Sequence, residues 1–165
     1  LATHDIDLTA WVAQRPFVSV AAQAAYRSGR EHEDLIAVTG RLEGGTVTSH
    51  LVNWLSPMKE RVTIITGEKG ALVCDTLTAD LTFYANGTVA SDWDEVRQFR
   101  GVTEGDVVRY AIAKPEPLRT EHEAFRDAVL GKPADIVTME QGVRIVEVAE
   151  AVLASASSGQ VVHLG

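Results

Sequence analysis

Residues 46–75 read TVTSHLVNWLSPMKERVTIITGEKGALVCD, and this stretch decides the fold. In its first part Val47, Ser49, Leu51 and Asn53 alternate with Thr48, His50, Val52 and Trp54. In its second part Val62, Ile64 and Thr66 alternate with Thr63 and Ile65. β-Branched residues dominate both runs, as a pleated and half-buried surface prefers. Between them lies LSPMK, where Pro57 has no backbone N–H to give to a ladder. The simplest geometry is two antiparallel strands joined by a loop at one end of a sheet. Gly67-Glu68-Lys69-Gly70 then turns the chain into a third strand over 71–75.

Upstream, residues 1–14 predict a helix that Pro16 ends. Leu1, His4, Leu8 and Trp11 recur at helical spacing and define its expected apolar face. Residues 17–26 predict a strand whose small side chains imply close contact with a helix layer. The polar stretch SGREHED, 28–34, is expected to be a solvated loop. A strand over 35–42 and a hairpin turn at Glu43-Gly44-Gly45 lead into the central stretch.

Downstream, 79–85 predicts a strand closed by Asn86-Gly87, a strong hairpin signal. Residues 90–105 form a polar, acidic excursion carrying Trp93 and Phe99, and 106–112 predicts another strand. Helices are expected over 118–130, ended by Gly131 and Pro133, and over 138–157. Thr138 followed three residues on by Gln141 is a capping box, and Gly159 closes the second helix before a last short strand at 161–164. Strands run consecutively while helices sit at the ends of the chain. That order predicts an α+β fold in one domain: a large, mostly antiparallel open β-sheet with helices packed on one face.

A chain of 165 residues makes one domain or a piece of a larger protein. Net charge is −8 and no basic stripe is present, which argues against nucleic acid or an anionic membrane as partner. Cys74 is the only cysteine, so no disulfide can form within the chain, and a cytoplasmic setting is expected. No apolar run is long enough for a membrane-spanning helix, and no signal peptide is visible. The chain starts without Met, as a fragment or processed product would. No G-x-G-x-x-G, P-loop, C-x-x-C or H-E-x-x-H pattern occurs, so neither a nucleotide site of the usual kind nor a zinc site is indicated.

The cluster Thr3-His4-Asp5-Ile6-Asp7-Leu8 could carry chemistry. A histidine beside carboxylates can serve as a general base, and Asp7 lies three residues on, within side-chain reach. Read from the residues alone, a purely structural histidine remains the alternative.

T-H-D-I-D-L-x-x-W at a helix start resembles the segment that opens the C-terminal domain of the Gfo/Idh/MocA family, which reads D-x-x-x-H-[DE]-x-D. VNWLSPMKERVTIITGEKGAL, ADLTFYANG, EPLRTEHEAFRDAVLGK and TMEQGVRIVEVAEAVLASASSGQVV follow in the family's order. The resemblance covers essentially the whole chain and is closest to the nucleotide-sugar and inositol-type branch. It implies a fold similar to the C-terminal domain of glyceraldehyde-3-phosphate dehydrogenase. It also implies an N-terminal Rossmann half, absent from this chain, that binds NAD or NADP and carries the E-K-P lysine. No cofactor is expected on this chain itself, which alone would be inactive. The family's Asp four residues before the catalytic His would fall before Leu1.

By resemblance His4 is the acid/base that takes a sugar hydroxyl proton as hydride passes to nicotinamide. Asp7 matches the second family acid, read as structural, and Asp5 is a first-turn charge. Asn53, Trp54, Ser56 and Lys59 align with the loop lining the sugar pocket. Amide and hydroxyl groups there could bond sugar hydroxyls, the indole could stack, and Lys59 with Arg61 could meet a diphosphate. Equally, this loop could be a plain hairpin with a packed Trp and solvated cations. Arg119 and His122 could sit at the pocket rim, although His122 shares a helix face with Leu118, Phe125 and Val129 and could be a core-edge residue. His50 and His163 receive no role. The implied partners are a sugar or nucleotide sugar and a second copy of the chain, docked through the open sheet face. The competing reading is a non-catalytic binding or assembly module of the same fold.

Overall fold

The computed structural model describes residues 2–87 and 103–165. Its elements are α1 (Ala2–Ala13), β1 (Phe17–Ala25), β2 (Leu35–Leu42), β3 (Val47–Asn53), β4 (Val62–Gly67), β5 (Gly70–Asp75), β6 (Asp80–Gly87), β7 (Thr103–Tyr110), α2 (Pro117–Val129), α3 (Met139–Ser158) and β8 (Val162–His163). The fold is α+β, with every strand pairing antiparallel. Residues cluster into two compact units, Leu1–Pro57 with Gly131–Gly165, and Met58–Leu130. Of the excursion expected at 90–105, all but 103–105 lies outside the described residues, and those three open β7.

The first unit holds the sheet β3-β2-β1-β8 and the helices α1 and α3. Its core joins Ile6 of α1, Phe17, Val20, Ile36, Val38 and Leu42 of the sheet, and Val148, Ala151 and Val152 of α3. The helices therefore cover the face that carries Val20, Ile36 and Val38. The small residues of β1 do admit a helix: the Ala22 N–H donates to Ser155 Oγ of α3 at 2.9 Å. The capping box at Thr138 and Gln141 forms, and Gly159 closes α3 in the left-handed conformation. On the opposite sheet face the register aligns Ser19, Arg41 and Val47, then Ala21, Thr39 and Ser49, then Gln23, Ala37 and Leu51.

The face of α1 differs from the expected one. Ile6 is buried, and Ala2, Ala10 and Ala13 pack against the core, while His4 is exposed and Trp11 is 58% exposed. Alanines let a helix approach a sheet closely, whereas an indole in the same seam would hold the backbones apart.

The hairpin expected between β3 and β4 does not form. β3 pairs with β2, and β4 pairs with β5 in the other sheet. Each strand has a nearer partner across a tight turn: Gly44 and Gly45, both at positive φ, join β2 to β3, and Gly67 pairs directly with Gly70 between β4 and β5. Short turns close at lower entropy cost than the longer segment around Pro57.

The second unit holds the sheet β4-β5-β6-β7 and α2. Asn86-Gly87 is not a turn, because Asn86 pairs with Glu104 and Gly87 with Thr103 inside the β6–β7 ladder. Glycine is required there for close approach, since a Cβ on Gly87 would lie 2.3 Å from the Glu104 carbonyl oxygen. Asp80 ties the far end of the same ladder to the following segment, receiving Arg109 at 2.7 Å and Lys114 at 3.2 Å. The Arg109 hydrogen bond, reinforced by Lys114, lowers the Asp80 pKa to about 2. Glu116 caps α2 ahead of Pro117 at the first helical position.

Candidate functional site

The site builds from three pieces of the first unit: the start of α1, the segment after β1, and the end of β3. Ala2, Glu33, Asp34, Ile36, Val52 and Trp54 line one shallow recess. His4 is exposed in the first turn of α1, two residues past Ala2.

Asp34 organises the recess. It is only 1% exposed. Its Oδ2 accepts the backbone N–H groups of Arg27 at 2.6 Å and Ser28 at 2.7 Å. Its Oδ1 accepts the Ser28 hydroxyl and an Arg30 Nη2–H, each at 2.6 Å. Arg30 Nε also donates to Ser28 Oγ at 3.0 Å. These donors, the Ser28 hydroxyl and Arg30 foremost, hold the Asp34 carboxyl far below the usual carboxylate range. The backbone of Asp34 is fixed as well: its N–H donates to the Ala25 carbonyl and its carbonyl accepts from Trp54 N–H, both at 2.8 Å. The Arg30 guanidinium carbon stands 5.7 Å from the centre of the Trp54 ring, within cation–π range. The loop expected to be simply solvated is therefore tied down by one buried acid.

A second inward group lies under α1. His50 on β3 is half-buried, with its ring 6.1 Å from the Phe17 ring and its Nε2 3.1 Å from Thr48 Oγ1. Burial lowers its pKa, and the charge of Asp5 opposes that shift.

Residues 1–164 match the family described as "Oxidoreductase family, C-terminal alpha/beta domain", the C-terminal domain of Gfo/Idh/MocA proteins. The chain belongs to this family. No curated protein matches it in sequence. Among solved structures it is similar to UDP-N-acetylglucosamine 3-dehydrogenase GnnA from Acidithiobacillus ferrooxidans, at 21% identity and TM-score 0.77, covering 94% of this chain and 47% of that one. The WlbA dehydrogenase from Bordetella pertussis, solved with NADH and UDP-GlcNAcA, aligns at 22% identity and TM-score 0.66, over 99% of this chain and 43% of that one. An oxidoreductase domain protein from Kribbella flavida aligns at 15% identity and TM-score 0.77, over 100% and 49%. The chain spans about half the length of these structures, and the likeness shows the fold.

Within this Gfo/Idh/MocA domain the expected site residues divide between the two units. His4, Asp7, Asn53, Trp54 and Ser56 belong to the first; Lys59, Arg119 and His122 belong to the second. Asn53 closes β3, and its Oδ1 accepts the Leu55 N–H at 2.7 Å. Trp54 is 57% exposed, and Ser56 and Lys59 are exposed in the segment that follows. Arg119 spends its Nε on Glu123 one turn along α2, at 2.9 Å. His122 is exposed, as are Leu118, Phe125 and Val129 on its helix face. Asp34 and Arg30 were missed by sequence reasoning. Their only signal is a serine, an arginine and an aspartate in a short run before a strand, which solvated loops share. Among the described residues no group of His, Cys, Asp and Glu could hold a metal ion, and no helix is long and apolar enough to cross a membrane.

Proposed function

We infer that this chain is the substrate-binding and dimerisation half of an NAD(P)-dependent dehydrogenase acting on a sugar, a nucleotide sugar or an inositol-type polyol in the cytoplasm. One observation carries the reading: in a Gfo/Idh/MocA domain, Ala2 at the helix start, two residues before His4, and Trp54 line the same recess. A sugar stacked on Trp54 would bring its hydroxyls toward the first turn of α1. His4 would take the hydroxyl proton as general base and return it in the reverse direction. Asp7, half-buried in the next turn, steadies the helix start. Asn53, Ser56, Lys59, Arg119 and His122 are the further candidates for substrate contact.

The described residues do not fit the dinucleotide. Every ladder is antiparallel, and no glycine-rich turn leads from a parallel strand into a helix. On this reading the nicotinamide is held by polypeptide outside them. Two dehydrogenase neighbours support the substrate class, since one is named for UDP-N-acetylglucosamine and the other was solved with UDP-GlcNAcA. The homodimer reading rests on the sheet face turned away from the helices, where Val47 and Leu51 are about two-thirds exposed or more.

His4 decides the enzymatic part. In the enzyme carrying both halves, His4→Ala should lower turnover about 10²–10⁴-fold with nucleotide-sugar binding retained. Unchanged turnover removes His4 from the chemistry.

A further inference from the structure

The Asp34–Arg30–Trp54 chain of contacts asks for a role, because it is costly to build. A carboxylate is buried at the base of a polar loop, and burial of a charge is unfavourable unless its partners are fixed. Asp34 supplies that fixing with both oxygens, and the last partner it holds is Arg30. Two edges of the guanidinium are occupied, Nη2 by Asp34 and Nε by Ser28, which sets the plane of the group. Its central carbon stands 5.7 Å from the centre of the Trp54 ring, and the Trp54 backbone N–H is bonded to Asp34 as well. Trp54 is thus held at its backbone and approached at its ring by one anchored unit, yet stays 57% exposed.

An exposed aromatic side chain ordinarily samples several rotamers. Here it is braced, and it borders the recess at the start of α1. Arg30 is a poor candidate for direct anion capture, since Asp34 already balances its charge and Glu33 lines the recess. What the arrangement offers a ligand is a pre-set apolar ring face, the surface that the C–H side of a neutral sugar ring stacks on.

We propose that Arg30 and Asp34 are positioning residues that brace Trp54 as the stacking platform for the sugar ring of the substrate. This deepens the proposed function and rests on it for the identity of the ligand. Pre-setting the ring spares the entropy of ordering it on binding, so the effect falls on affinity. Lysine cannot replace Arg30, because an ammonium has neither the planar face nor the fork that spans Asp34 and Ser28.

The test has two readouts on this chain. With Trp11 and Trp93 replaced by Phe, time-resolved fluorescence anisotropy reports the local motion of Trp54 alone. Ring motion should be restricted in the parent and released in both Arg30→Ala and Arg30→Lys. Both variants leave the Arg27 and Ser28 donors on Asp34, so the loop keeps its fold. Titration with UDP-N-acetylglucosamine is the second readout. Arg30→Ala should weaken binding about 2- to 5-fold, the range open to an exposed cation–π contact. Combined with Trp54→Ala it should add nothing further.

Restricted motion in Arg30→Ala, or unchanged binding in Arg30→Ala where Trp54→Ala binds weakly, overturns the brace while the substrate reading stands. Unchanged binding in Trp54→Ala, or no binding by the parent chain, overturns the platform and the substrate reading beneath it.

Discussion

Ser155→Ala is the sharpest test of how this fold is held. Ser155 is 1% exposed on the inner face of α3. Its hydroxyl accepts the Ala22 N–H at 2.9 Å and donates to the Gln160 carbonyl at 2.6 Å. β8 pairs with β1 only at Ser19 and Val20, so at Ala22 the hydroxyl stands where a strand would otherwise continue. Alanine removes one oxygen and orphans two backbone groups. The half-buried Ala22 N–H left unpaired costs about 1–3 kcal/mol, water substitutes at the exposed Gln160, and alanine's better helix propensity returns about 0.5 kcal/mol. The expected loss is about 0.5–2.5 kcal/mol. In urea, with a slope near 2 kcal/mol/M, that lowers the unfolding midpoint by about 0.3–1.2 M. Far-UV circular dichroism of the helices follows the transition. Ser158→Ala is the control: its hydroxyl caps the Ala154 carbonyl at 2.7 Å in an exposed position, where water substitutes, so its change should stay within about 0.5 kcal/mol. A Ser155→Ala midpoint no lower than that of Ser158→Ala would refute the bridging role.

Other expectations follow from the same geometry. Gly87→Ala should destabilise the β6–β7 ladder by about 1–3 kcal/mol, read as a lowered urea midpoint, because the new methyl would meet the Glu104 carbonyl. His50 has a lowered folded-state pKa, so the unfolded chain binds the extra proton first; stability should fall as pH drops below about 6.5, and His50→Gln should flatten that slope in midpoint-versus-pH measurements. Asp34 has the opposite character, a carboxylate depressed by its donors. Its contribution is complete above the unfolded value near 3.9 and is lost only as pH falls toward the lower folded value, so Trp54 emission should hold steady down to about pH 4 in the parent and change only below it, and Asp34→Asn, which has no proton to take up there, should lack that low-pH change.

Much of the chain was legible because its signals are local. Thr138 and Gln141 make their capping box within one turn, and Gly159 ends the helix by its own backbone freedom. The alternation of β3 assigns Thr48, His50 and Val52 to the inner face, where they are half-buried, and Val47 and Leu51 to the outer, where they are exposed. The motif around His4 carried the family, which the match over residues 1–164 shows. Where local signals competed, the residues alone did not choose. Asn86-Gly87 has the composition of a turn and also the small size a ladder needs beside Glu104, and the pairing partner selected the second. Trp11 and Ile6 are both apolar residues on one helix; close packing against the sheet admitted the isoleucine and the alanines and left the indole outside.

What the sequence determined by itself was therefore the class of fold, the position of most elements and the family, since each depends on residues within a turn or a strand of one another. Tertiary structure alone decided which strands pair across the 54–61 segment, which face of α1 is buried, and that Asp34 is an anchor. The reason is physical: the donors to the Asp34 carboxylate come from its own loop, but its burial depends on Trp54 arriving from the end of β3 to bond its carbonyl, and a carboxylate's worth is set by its surroundings.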